Sequence, residues 1–241
     1  MRSIGVTDTS SQIPDIAARL AEVHSHIDEA IRRAHRDPGS VRLVLASKTQ
    51  PADAIAAAYG AGERDFGENY VQEAVAKRAA LSQLSDIRWH LIGHLQTNKA
   101  RVATDTFCLI QTLDSARLAS TLHRLHPAPK FPVLVEINVA GEISKSGVFP
   151  DKAEELLDAI RDEVEVVGLM TVPPIADDAE AARPFFARLR ELRDRLAAAN
   201  GLTLPELSMG MTSDYEVAIE EGATIVRVGR AVFGDRIIIE K

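Results

Sequence analysis

The stretch VRLVLASKTQP (41–51) carries an apolar run straight into a lysine, Lys48, before Pro51 stops it. An ammonium group delivered to the tip of a strand built for burial has two physical fates. It snorkels to solvent along its aliphatic stem. Otherwise it sits in a partly desolvated pocket, where burial lowers its pKa from the usual value of about 10.4 and leaves a neutral amine able to attack an aldehyde and form a Schiff base.

Near the other end of the chain a second group of residues bears on that choice. LSMGMTSD (207–214) brings glycine, hydroxyl residues and a helix start together, and Ser213 with Glu216 three residues on has the spacing of a capping box. TIVRVG (224–229) ends in Gly229, where backbone N–H groups can approach an anion closely; ordinary turn chemistry is the plainer account of that glycine. Strand alternation turns Arg227, two residues earlier, inward, where it needs an acceptor. That acceptor is a buried structural ion partner or the pyridine nitrogen of a cofactor. The carbonyl partner of Lys48 is then either a sugar-phosphate substrate, as in lysine-dependent aldolases, or pyridoxal 5'-phosphate. Asn69 in FGENY (66–70) is placed to hydrogen-bond a cofactor ring hydroxyl, or to serve as a turn or cap residue.

For these residues to meet, the fold must bring position 48 beside position 229. Residues 14–35 space Ile16, Leu20, Val23, Ile27 and Ile31 as one helical stripe, closed by Asp37-Pro38-Gly39. After this extra N-terminal helix, short apolar runs alternate with helical stretches: 41–46 then 52–60, 64–66 then 70–81, 88–92 then 97–103, 107–111 then 114–125. The second half continues with 132–139 then 150–161, 164–170 then 178–199, 205–210 then 214–220, and 224–229 then a short tail. Eight strand–helix units, with strands apolar nearly throughout, predict a closed parallel (β/α)8 barrel. A doubly wound open sheet is the alternative, disfavoured because no G-x-G-x-x-G follows the first strand. Barrel closure makes the eighth strand the neighbour of the first. The whole chain, 1–241, reads as a single domain with 1–12 as a flexible start.

Composition narrows the function classes. With a net charge of −7 and basic residues dispersed among acidic ones, the chain has no footprint for nucleic acid and is ill suited to an anionic membrane surface. A single cysteine, Cys108, and no apolar leader or spanning segment predict a cytoplasmic protein, and nothing marks an interface stripe, so a monomer is expected. The His24/His26 and His90/His94 pairs lack metal-ligand geometry. RLRELRDRL (188–196) reads as a solvated helix face with i,i+4 pairing, and Lys145 as a surface-loop lysine.

The motifs LASKT (45–49), FGENYVQE (66–73), WHLIGHLQTNK (89–99), INVAGEISKSG (137–147), GLMT (168–171), LSMGMTSDYEVAI (207–219) and VRVGRAVFG (226–234), in this order and spacing, resemble the pyridoxal phosphate homeostasis proteins. These are short relatives of the alanine racemase N-terminal barrel, and the resemblance runs from about Ile13 to Gly234. It implies that Lys48 carries pyridoxal 5'-phosphate as an aldimine, with Met211, Thr212 and Gly229 around the phosphate, Arg227 near the ring, and Asn69 and Arg230 among the cofactor-binding residues. Thr212 stands where the family commonly has serine and keeps the hydroxyl. Arg230 stands where a small hydroxyl residue is frequent, and either adds charge to the phosphate site or turns outward.

The resemblance also implies that racemases draw a second base from a separate domain; no such base is evident by Lys241, and Tyr70 reads better as a packing residue. The expected role is therefore to hold the cofactor and deliver it to apo-enzymes, without catalysis. The rivals are an amino-acid racemase of low activity and the aldolase above.

Overall fold

The computed structural model describes residues 15–142, 145–174 and 178–234. The expected flexible start, 1–12, lies outside the described residues. Eight parallel strands close on themselves in sequence order: β1 (Arg42–Ala46), β2 (Asp65–Glu68), β3 (Arg88–Leu91), β4 (Leu109–Leu113), β5 (Pro132–Glu136), β6 (Glu165–Met170), β7 (Glu206–Ser208) and β8 (Ile225–Val228). The closing seam pairs β1 with β8 over four residues, Arg42 to Leu45 against Ile225 to Val228. The open-sheet alternative is thereby excluded.

Helices α2 (Ala52–Gly60), α3 (Val71–Ala80), α4 (Ala100–Thr106), α5 (Ala116–Leu125), α6 (Ala153–Ile160), α7 (Arg183–Asn200) and α8 (Tyr215–Glu220) follow the strands in turn, and the four-residue α9 (Arg230–Phe233) follows β8. The extra helix α1 (Ile16–Arg33) starts at Asp15, whose carboxylate accepts the Ala18 N–H at 3.0 Å, and buries the predicted stripe of Ile16, Leu20, Val23, Ile27 and Ile31. It packs across α8 and α9. Among the described residues no helix is long and apolar enough to cross a membrane.

Two apolar layers follow from strand alternation. The larger fills the space between sheet and helices; the smaller, Val44, Leu109, Leu134, Met170 and Ile225, fills the barrel interior. Gly168 marks the tightest strand contact, because a Cβ there would lie 1.9 Å from the Glu206 carbonyl oxygen. One helix differs from its reading. In α7 the leucines Leu189, Leu192 and Leu196 are buried, and arginines between and beside them reach other elements, while Arg193 also pairs with its neighbour Asp194 at 2.5 Å. Arg188 donates to the Val139 carbonyl at 3.2 Å, Arg190 to Glu221 and Arg193 to the Leu204 carbonyl. The face that looked solvated ties α7 to the loops beside it, since long side chains reach further than one helical turn.

Candidate functional site

The site begins at the tip of β1. Ser47 donates its backbone N–H to the Gly67 carbonyl and its hydroxyl to Glu68 Oε1 at 2.6 Å, fixing the turn to β2. Half-buried Lys48 comes next, then Thr49 with φ of 66°, a left-handed backbone unusual for a β-branched residue. That strain is held in place from α3. Glu73 Oε1 accepts the Thr49 N–H at 2.5 Å, and the Lys77 ammonium donates at 2.7 Å to the Ser47 carbonyl, to Glu68 and to Glu73. All three donors of Lys77 are thus used, and the backbone is anchored on both sides of Lys48. Burial pushes the Glu68 carboxyl up against the opposing pull of Lys77 and Ser47.

Across the seam stand the loops after β7 and β8. Register places Leu45 opposite Val228, so Gly229 lies beside Ala46, and a Cβ on Gly229 would come 2.9 Å from the Ala46 carbonyl oxygen. Only glycine fits without displacing β1. The Gly229 N–H points to Thr212 Oγ1 at 3.4 Å, joining the two loops. Met211 and Thr212 are half-buried, and Met211 donates its N–H to Asp214 Oδ1 at 2.6 Å. Asp214 is also the cap position of α8, so the Ser213–Glu216 capping box does not form: Ser213 is exposed and the helix starts one residue later. Arg230 is exposed at the start of α9. Asn69 is half-buried after β2, against Gly93, where a Cβ would meet the Asn69 carbonyl oxygen at 2.4 Å.

Arg227 is buried inside the barrel near the C-terminal end of β8 and donates to the Ser208 hydroxyl and, at 2.8 Å, to the Thr171 carbonyl. Both acceptors are neutral. Desolvation therefore pulls the guanidinium down to about 10, tempered by the carboxylates of Glu136 and Asp214. Glu136, at the end of β5, is pushed up to about 7 by burial and then by Asp114, with Arg227 and His94 opposing. Its Oε2 has no hydrogen-bond partner among the described residues. Lys145, read as a surface-loop residue, is half-buried and pairs with Glu142 at 2.9 Å.

Several groups were not read from sequence as part of the site, His90 having been weighed only as a metal ligand. Ser208, Gln111, His90 and Asp65 form a buried polar file through the barrel interior, and Glu68, Glu73, Lys77 and Glu136 support or face the mouth. Their signal was a polar residue set between apolar ones within a strand, as His90 in RWHL and Gln111 in LIQTL.

A closed parallel barrel with a lysine past its first strand and a glycine-backed, hydroxyl-bearing rim on its last two defines the class of barrels typified by alanine racemase. In agreement, the family model for the alanine racemase N-terminal domain matches residues 19–237. Among curated relatives, the pyridoxal phosphate homeostasis proteins of Aquifex aeolicus and Pseudomonas aeruginosa are 45% and 44% identical over 90% and 92% of this chain, covering 97% and 96% of their own lengths. PipY of Synechococcus elongatus, solved with PLP bound, superposes with a TM-score of 0.80 at 39% identity, over 91% of this chain and 100% of that one. The chain belongs to the pyridoxal phosphate homeostasis protein family.

Proposed function

We propose that this protein holds pyridoxal 5'-phosphate at the barrel mouth and passes it to apo-enzymes, keeping a reactive aldehyde out of free solution. The observation that carries this reading is the seam: the Lys48 turn and Gly229 meet across the β1–β8 pairing, an amine donor beside an amide-lined rim. The residues fit the group. Arg227 is a buried cation whose described acceptors are both neutral, which suits a ring nitrogen bearing a free lone pair, and an arginine there keeps that nitrogen unprotonated. Asn69 flanks the ring hydroxyl in this reading, and Met211, Thr212 and Gly229 line the phosphate. When bound, the group supplies an aldehyde that condenses with the Lys48 amine, with loss of one water, to give a visible imine.

A carrier is favoured over a catalyst because an arginine-paired ring is a weak electron sink, and because relatives matched over nearly their whole length are named for homeostasis. The test is spectroscopic. The purified protein mixed with pyridoxal 5'-phosphate shows an imine band that Lys48→Ala lacks, and Arg227→Glu holds the cofactor ~1–3 kcal/mol more weakly. A wild-type chain without the band refutes both cofactor readings. Chiral chromatography after incubation with L- and D-alanine separates carrier from racemase: robust turnover refutes the carrier.

A further inference from the structure

A line of buried hydrogen bonds leaves Arg227 and crosses the barrel away from the mouth. Arg227 donates to Ser208 Oγ, the Ser208 hydroxyl to Gln111 Oε1 at 2.6 Å, Gln111 Nε2 meets His90 Nδ1 at 3.2 Å, and His90 Nε2 meets Asp65 Oδ1 at 2.8 Å. Arg88 closes the line with a bond to Asp65 at 2.8 Å. Asp65, His90 and Arg88 line a cavity of about 550 Å³ at the strand N-termini. The file therefore runs from the mouth of the barrel to its base.

Its two ends fix every proton in between. A guanidinium only donates and a carboxylate only accepts. Ser208 must accept from Arg227 and spend its own proton on Gln111; Gln111 must turn its amide nitrogen to His90; His90 must accept at Nδ1 and donate from Nε2. Only the neutral Nε2–H tautomer of His90 satisfies the file. A second proton on His90 would sit on Nδ1, facing the Gln111 amide donor. Gln111 would then reverse, and Ser208 would face two donors, with its own proton left without an acceptor in the interior.

We infer that Ser208, Gln111, His90 and Asp65 are positioning residues for the Arg227 guanidinium, and that a proton gained by His90 at the base loosens that guanidinium at the mouth. The inference rests on the cofactor reading above. The groups facing His90 are Asp65 from β2, Cys108 Sγ at 3.9 Å from the segment before β4, and Gln111 from β4, with Arg88 behind Asp65. Burial disfavours a charge on His90, but Asp65 and Cys108 outweigh it and raise the ring above its ordinary 6.5.

The experiment has two arms. Nitrogen-15 NMR of the chain without cofactor at pH 8.5 is expected to show His90 as a single Nε2–H tautomer; an Nδ1–H ring overturns the inference whether or not the cofactor reading holds. In the second arm the dissociation constant for pyridoxal 5'-phosphate is read from the imine band between pH 5.5 and 8.5. Wild type is expected to bind about tenfold more weakly at the acid end, His90→Gln to lose most of that dependence, and Gln111→Met to bind weakly throughout. A lowered unfolding midpoint in Gln111→Met with wild-type affinity at every pH overturns the inference, because the file would then be core packing alone. Loss of the band from wild type itself, or its persistence in Lys48→Ala, refutes the Lys48 reading instead, and leaves the NMR arm to decide the file.

Discussion

Glu136 is the residue whose chemistry is most exposed to pH. Its folded carboxyl is raised from the ordinary 4.5 to about 7, so the folded state holds a proton that the unfolded chain releases. The stability this lends is complete below about 4.5 and is lost as pH rises through 7, a loss on the order of 3 kcal/mol. Glu136→Gln is therefore expected to flatten the difference in urea midpoint between pH 5 and pH 8, and to raise the midpoint at pH 8. Asp65 has the opposite sign. Burial resists its ionisation, yet Arg88 and His90 pull it down to about 2, so its contribution is present above 3.8 and lost as pH falls toward 2. The placement of Lys48, Arg227 and Gly229 in the fold was legible from sequence because each follows from strand alternation plus closure; the direction of Arg230 was left open, since a side chain past a strand end depends on the turn. Glu136 escaped notice for another reason: a carboxylate at the end of PVLVE reads as an ordinary strand terminus until closure buries it and brings Asp114, Arg227 and His94 near it.

At the scale of elements, α3 is the brace for the lysine turn. Lys77→Met would leave Glu68, fully buried, with its charge uncompensated, and is expected to cost about 3–5 kcal/mol in urea unfolding; Lys77→Met with Glu68→Gln should recover a large part. Glu73→Gln, at a half-exposed position, should cost less, because it weakens the Thr49 anchor without stranding a buried ion. The bounds of α2, 52–60, were read correctly from the alanine run and Pro51, while α8 began one residue late, because Asp214 rather than Ser213 takes the cap position. The arginines of α7 show the general limit. Sequence spacing reveals which residues share a helix face, but not that a loop from another unit lies within their reach.

The whole molecule is one closed sheet, and its architecture was the most legible feature of all, because eight apolar runs followed by helices admit few arrangements. The buried file was the least, since its partners sit on β2, β3, β4, β7 and β8. Closure predicts a single cooperative unit: urea unfolding followed by the fluorescence of Trp89, the one tryptophan, should coincide with that followed by circular dichroism. Distinct midpoints would show that half the sheet survives alone. The β1–β8 seam carries one more consequence, for the order in which the protein is made. Lys48 emerges early in synthesis while its opposite wall follows about 180 residues later, so at ~5–20 residues per second a half-made chain waits ~10–40 s with its amine and without the strand that faces it. On the function proposed above, cofactor capture is deferred until the last strand is in place, and a truncated translation product is expected to sequester none of it.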